Sequence, residues 1–290
     1  MSIQSFGDKV FDLLNYIIVT LFALACLFPF FYVASFSVTP YSEYLQNPLK
    51  LIPNEIELGA YKQILQMPLM WTGYKNTIII TVVGVALNIF LLIISAYPLS
   101  KKDLKGRNLI MVLITFTMFF NGGLIPNFYL IKTLDIYNTL WSMILPGALG
   151  AYNLILMKNF ISAIPESLEE SAVIDGANEI RVLFSIIVPL SKPAIATFVI
   201  FHAVTQWNTF FSAIIYTSKR SLWPLMLILR EMVVEDGGIA KDAMDMNNTG
   251  VTVFTIKMAI IIFATLPILL IYPFMQKYFM KGVLVGSIKG

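Results

Sequence analysis

Pro165–Pro193, PESLEESAVIDGANEIRVLFSIIVPLSKP, is the one long polar segment in the second half of an apolar chain that still reads as ordered helix. Leu168, Ala172, Ile174 (or Val173) and Ala177 recur roughly at helical spacing. Pro165 stands where a first-turn proline is tolerated. Glu166, Glu169 and Glu170 crowd the end where a helix dipole favours negative charge. Gly176 offers a bend or a close backbone approach. Its polarity and helical spacing set the stretch apart from the apolar runs around it, and the rest of the chain decides where it lies.

Working outward, the 290 residues are 58% hydrophobic and only 13% charged. Soluble domains carry about 25% charged residues, so the chain has half the charge needed to cover a water-facing surface. Apolar runs long enough to cross a bilayer recur. They predict an all-α membrane protein of about six transmembrane helices, at about 13–36, 76–99, 108–120, 140–160, 194–216 and 253–274. A short amphipathic lead-in covers 1–12, the transmembrane domain 13–280 and a C-terminal tail 281–290. The first apolar run is too long for a signal h-region and no small-residue cleavage pattern follows it, so it reads as a retained span. Residues 37–75 read as a polar connection, and Trp223 and the mixed-charge segment after it as a long outer loop.

The loop Lys101–Arg107, KKDLKGR, is short and basic, which predicts a cytoplasmic position. Counting spans from it places 165–193 and both termini in the cytoplasm, with the protein in the cell membrane. Asn121, Gly122, Gly123 and Pro126 predict a break after the third span, and Pro146, Gly147 and Gly150 a kink in the fourth.

Several function classes fall away. A net charge of +3 gives no argument for nucleic acid. No phosphate-loop motif is present, so ATP binding by that route is excluded. Cys26 and His202 are each the sole residue of their type, which leaves no cysteine framework, metal cluster or Ser-His-Asp arrangement. No carboxylate stands at a span centre, which argues against a proton- or sodium-coupled carrier.

The positive signal lies in 165–193. Glu170-Ser171-Ala172, then Gly176 between Asp175 and Ala177, then Ile186-Ile187-Val188-Pro189 resembles the signature of permease subunits of ATP-binding-cassette importers: E-A-A, three residues, Gly, and later I-x-L-P. Ser171 and Val188 depart from it conservatively. AVIDGA, Phe184 and VPLSKPAIA resemble the carbohydrate-importing branch, close to the maltose-type second permease. The ending, with Gly282, Gly286, Lys289 and Gly290, resembles that branch's G-x-x-x-G-x-x-K-G tail. FDLLNYIIVTLFALACLFPFFYVASFS is similar to the subgroup for complex oligosaccharide or polysaccharide uptake.

The resemblance implies a type I importer permease fold that translocates an oligosaccharide by alternating access. It implies a second homologous permease, two ATPase subunits, an extracellular or periplasmic solute-binding protein and surrounding membrane lipid as partners. No cofactor is expected in this chain, since ATP and Mg are bound by the ATPases. Glu170, Ser171, Ala172, Asp175, Gly176, Ala177 and Pro189 are expected to couple to the ATPase, with Glu170 and Asp175 pairing basic groups there. Ala172, Gly176 and Ala177 would permit close backbone approach, and Gly286, Lys289 and Gly290 would add tail contacts. For the substrate path, Gln206, Trp207 and Asn208 place amides beside an indole, the chemistry that binds sugars. Phe210, Phe211, Asn121 and Tyr129 are lesser candidates, and a helix interface remains the alternative reading. A permease for peptides or amino acids, or a membrane scaffold or enzyme, are the rival functions.

Overall fold

The computed structural model describes residues 6–234 and 251–287, with side chains as far as Ile271. The described chain is helical and carries no strand. It divides into two compact units, Met1–Pro68 with Leu229–Leu266, and Leu69–Ile228 with Pro267–Gly290.

In the first unit, α1 (Phe6–Phe36) takes in the end of the expected lead-in and continues through Pro29. Its apolar window is 0% buried, so Leu21, Phe22 and Phe31 face outward where lipid or another chain can cover them. The connection after it, expected to be partly folded, carries two short helices, α2 (Tyr41–Gln46) and α3 (Gly59–Gln66). Ser35 Oγ donates to the Leu51 carbonyl at 2.5 Å, and Tyr44 stacks on Phe254 at 4.3 Å. These side-chain bonds and ring contacts add to the packing of Ala60, Ile64 and Met67, which are buried. Lys257, in α14 (Val253–Ser287), donates to the Val233 carbonyl at 2.9 Å. That carbonyl ends α13 (Leu225–Val234), where the helix dipole favours a cation.

The second unit is built on α4 (Pro68–Ser100). The helix starts ahead of the expected span at 76, because Pro68 is a permitted first-turn residue and Trp71 continues the helix. Its polar side chains serve backbone that other segments leave open. Asn76 Nδ2 donates to the carbonyls of Ser221 and Trp223 at 2.9 and 3.1 Å, and Thr77 Oγ1 accepts from Leu225 N at 2.8 Å. Asn88 Nδ2 donates to the Ala148 carbonyl at 2.7 Å. The first two sites fold residues 217–225 back against α4, so the expected outer loop begins as packed structure and enters α13. Gly73 permits this approach: a Cβ there would lie 2.5 Å from Ile228 Cδ1 and 3.3 Å from Leu225 Cα.

The expected third span is a short helix, α5 (Arg107–Phe119), followed by α6 (Leu124–Thr133) at a bend of 116°. Gly123 turns the chain at φ +85°. At 1.5 Å per residue α5 covers about 20 Å, short of a hydrocarbon core of about 30 Å. The expected fourth span is divided in the same way. α7 (Trp141–Ile144) and α8 (Ala151–Ser162) flank the Pro146–Gly150 break. α9 (Glu166–Ile174) and α10 (Glu179–Leu190) follow. α10 meets α11 (Lys192–Trp207) at 77°. The expected fifth span ends at Trp207, and α12 (Phe211–Tyr216) stands apart from it. Among the described residues three helices are long and apolar enough to cross a membrane, or up to five if each bent pair is one span. Expected spans and helix ends therefore diverge at the glycine and proline breaks of the third and fourth spans and after Trp207, whereas α1 runs through Pro29.

Replacing Asn88 with Leu leaves the Ala148 carbonyl without its donor. The expected loss is about 1–2 kcal/mol of stability in the apolar interior, read as a lower thermal midpoint of the purified protein in detergent. An unchanged midpoint refutes the assignment.

Candidate functional site

The polar stretch folds as two helices around a glycine turn. Gly176 takes φ +84°. Gly176 N donates to the Val173 carbonyl and Ala177 N to the Ala172 carbonyl, both at 2.9 Å. These paired bonds form a Schellman motif, which closes α9 through a left-handed glycine. The next helix starts at once: Asn178 Oδ1 accepts from Arg181 N at 2.9 Å, an N-cap. Within α10, a π-turn at Leu183–Ile187 precedes Pro189, whose ring would otherwise press on the carbonyl four residues back.

The turn separates an inner face from an outer one. Ala172 and Ala177 pack inward against a core of Leu92, Ala96, Leu154, Met157, Val182 and Ile187. They set the distance between the element and its own fold, so of the three small residues expected at the partner contact only Gly176 is open. A Cβ on Gly176 would meet nothing within 4 Å. The outer face carries Glu170, Ser171, Asp175 and Pro189, all exposed, and with them Leu168, Val173, Ile180 and Phe184. Ile174 is 86% exposed, an unusual position for a large aliphatic side chain beside a polar turn.

A second set of contacts escaped sequence reading. Tyr97, buried near the end of α4, donates its hydroxyl to Glu179 Oε2 at 2.6 Å, with Glu169 Oε2 at 3.3 Å. Lys101 Nζ pairs with Glu169 and lies 4.7 Å from the Tyr97 ring centroid. The exposed Lys102–Glu166 pair at 3.1 Å adds little. The basic loop had served only as an orientation signal, yet it also reaches the acidic end of α9.

The substrate-path residues separate. Trp207 is buried and lines a cavity of about 920 Å³ with Thr81, Asn153, His202 and Thr205, and its ring meets Tyr74 edge-on at 6.3 Å. Gln206 is buried against Gly84, where a Cβ would lie 2.5 Å from its Nε2. Asn208 Nδ2 is engaged by the Val204 carbonyl of its own helix at 2.8 Å. Phe210, Phe211 and Tyr129 are exposed, and Asn121 Oδ1 accepts from Gly123 N at 2.9 Å as part of the turn. Of the seven, Trp207 alone lines this cavity. Gly286 falls within α14, while Lys289 and Gly290 lie outside the described residues.

The family model described as "Binding-protein-dependent transport system inner membrane component" matches residues 93–285, a range that holds both the two-helix element and the cavity wall at Trp207. The chain belongs to this family. It is a transport permease of the membrane, not an enzyme. Relatives extend the match to nearly the whole permease. The polygalacturonan/rhamnogalacturonan transport system permease protein YtcP of Bacillus subtilis (strain 168) is 43% identical over 284 residues, covering 98% of this chain and 99% of that one. The arabinooligosaccharides transport system permease protein AraQ of Halalkalibacterium halodurans is 28% identical over 274 residues, covering 92% and 93%. A chain in the crystal structure of a bacterial ABC transporter involved in the import of the acidic polysaccharide alginate matches with a TM-score of 0.90 at 33% identity. That match covers 96% of this permease and 100% of the other chain.

The open space at Gly176 isolates backbone strain from packing. Gly176→Val should destabilise the turn by about 1–2 kcal/mol, and Gly176→Asn by less, because asparagine visits the left-handed region. Amide hydrogen exchange across α9 in the purified permease reads the difference. Equal protection in both variants contradicts the Schellman assignment.

Proposed function

We propose that the chain is one permease subunit of an ATP-driven importer that carries an oligosaccharide derived from a polysaccharide across the cell membrane. The likeness to the alginate importer chain, at 33% identity and a TM-score of 0.90 over nearly the full length, carries this reading. The carbohydrate relatives support the same cargo class against a peptide or amino-acid cargo. A second permease, two ATPases that bind ATP and Mg, and an external solute-binding protein complete the machine.

In this reading the 165–193 element and both termini face the cytoplasm, consistent with the positive charge at Lys101, Lys102, Lys105 and Arg107. Ile174 and its exposed neighbours enter a cleft of the ATPase, while Glu170 and Asp175 meet basic groups at its rim. Because Gly176 has no Cβ and stands in open space, the turn can approach the partner's backbone. Closure of the ATPase pair on ATP then moves the element, and the spans reopen outward. Gly286, Lys289 and Gly290 add contacts from the tail. On the path, Trp207 offers a sugar an apolar ring to stack on at the cavity wall. Gln206, Asn208, Phe210, Phe211, Asn121 and Tyr129 belong to the path only if the spans rearrange during transport.

Three measurements test this. The reconstituted complex with its cognate binding protein should hydrolyse ATP faster with an oligosaccharide from an acidic polysaccharide than with peptides or amino acids; no response across a sugar panel overturns the cargo. Gly176→Trp should abolish uptake with the protein still in the membrane, and normal uptake refutes docking at the turn. Trp207→Ala should weaken uptake several-fold, whereas unchanged kinetics return Trp207 to packing.

A further inference from the structure

We infer that Tyr97, Lys101, Glu169 and Glu179 form an intramolecular clamp that fixes both arms of the 165–193 element to the end of α4, making the element's motion and the helix's motion one. The inference rests on the permease reading above and names the part of this chain that carries force inward from the docking turn.

Packing attaches the two arms unequally: α10 sets Val182, Leu183 and Ile187 into the core, whereas α9 has far less to hold it. α9 buries none of its residues. A cavity of about 700 Å³ lies between the 101–104 loop and the element, bordered by Lys101, Leu104, Glu166, Glu169, Ile180 and Leu183. Ala172 and Ala177 touch the core, but methyl groups resist sliding poorly. The polar contacts bridge the gap that packing leaves.

Their chemistry fits a clamp. Glu169 stands on the helix before the Gly176 turn and Glu179 on the helix after it. One hydroxyl has one proton, so Tyr97 donates to one carboxylate at a time, and 2.6 Å against 3.3 Å gives that bond to Glu179. Glu169 is left facing a second carboxylate and a phenolic oxygen, and Lys101 supplies the missing positive charge. Each arm therefore has its own bond to neighbouring positions of one helix end. That end is itself held, because Arg107 Nε donates to the Leu99 carbonyl at 2.9 Å. These are positioning residues: they touch neither nucleotide nor cargo.

The clamp predicts a loss of coupling rather than of hydrolysis. In the reconstituted complex, Tyr97→Phe and Lys101→Met should keep ATPase stimulation by the binding protein while transport per ATP falls about fivefold or more. Lys101→Arg should stay near the unmodified protein, and adding Glu169→Lys to Lys101→Glu should recover transport lost in the single variant. Transport per ATP unchanged in Tyr97→Phe and Lys101→Met, or uptake and hydrolysis falling in step, overturns the clamp. A second readout does not depend on cargo. In a Cys26→Ser background, spin labels at Lys105 and Ser167 of the assembled complex should give a narrow distance distribution that broadens in Lys101→Met. Equal widths also overturn the clamp, whereas absent sugar uptake by the unmodified complex counts against the cargo alone.

Discussion

Backbone polar groups in an apolar surrounding must find partners within the protein, and this constraint governs the second unit of the chain. Continuous helix meets it without help. This chain repeatedly gives up continuous helix, at Gly123, at Pro146–Gly150, at Ser191 and after Trp207. From one side, α4 serves two stretches that lack it. Asn76 and Thr77 hold the segment that leads into α13, and Asn88 holds the carbonyl left open after Gly147. α4 is thus a ladder of apolar residues with a few amides and hydroxyls placed where neighbouring backbone requires them.

The same helix organises the functional end. Leu92, Ala96 and Leu99 build the core beneath the two-helix element, and Tyr97 and Lys101 reach its acidic residues. The element shows its polar turn and an aliphatic tip outward and its alanines inward. A rigid turn suits a part that must pass movement on: the Schellman bonds fix α9, the Asn178 cap starts α10, and little slack remains between them. The exposed Ile174, with Val173, Ile180 and Phe184, is the apolar surface that the proposed ATPase contact would cover.

How much of this was legible in advance differs by residue. Gly176 stood out as a place to bend or to let another backbone approach, and the family signature brought Asp175 in beside it. Tyr97 and Lys101 were silent, since a tyrosine near the end of an apolar run and a lysine in a basic loop fit many roles. Gln206, Trp207 and Asn208 looked alike as a polar cluster. Their neighbours separate them: Gln206 lies against Gly84, Asn208 bonds to its own helix, and Trp207 faces the cavity.

The residues by themselves determined an all-helical membrane protein, because apolar length and sparse charge are local properties, and the resemblance of 170–189 to a family signature pointed to a permease. Local properties also marked the breaks at Gly123 and Pro146–Gly150, since glycine and proline act on the backbone where they stand, but not the one after Trp207, which has neither beside it. Only the tertiary structure decided which way each residue faces and what serves each broken backbone. Ala172 and Ala177 turn inward, and Glu169 and Glu179 meet one tyrosine hydroxyl from opposite sides of a turn. Those outcomes depend on α4 lying alongside, and contacts between residues more than seventy positions apart leave no periodicity to read.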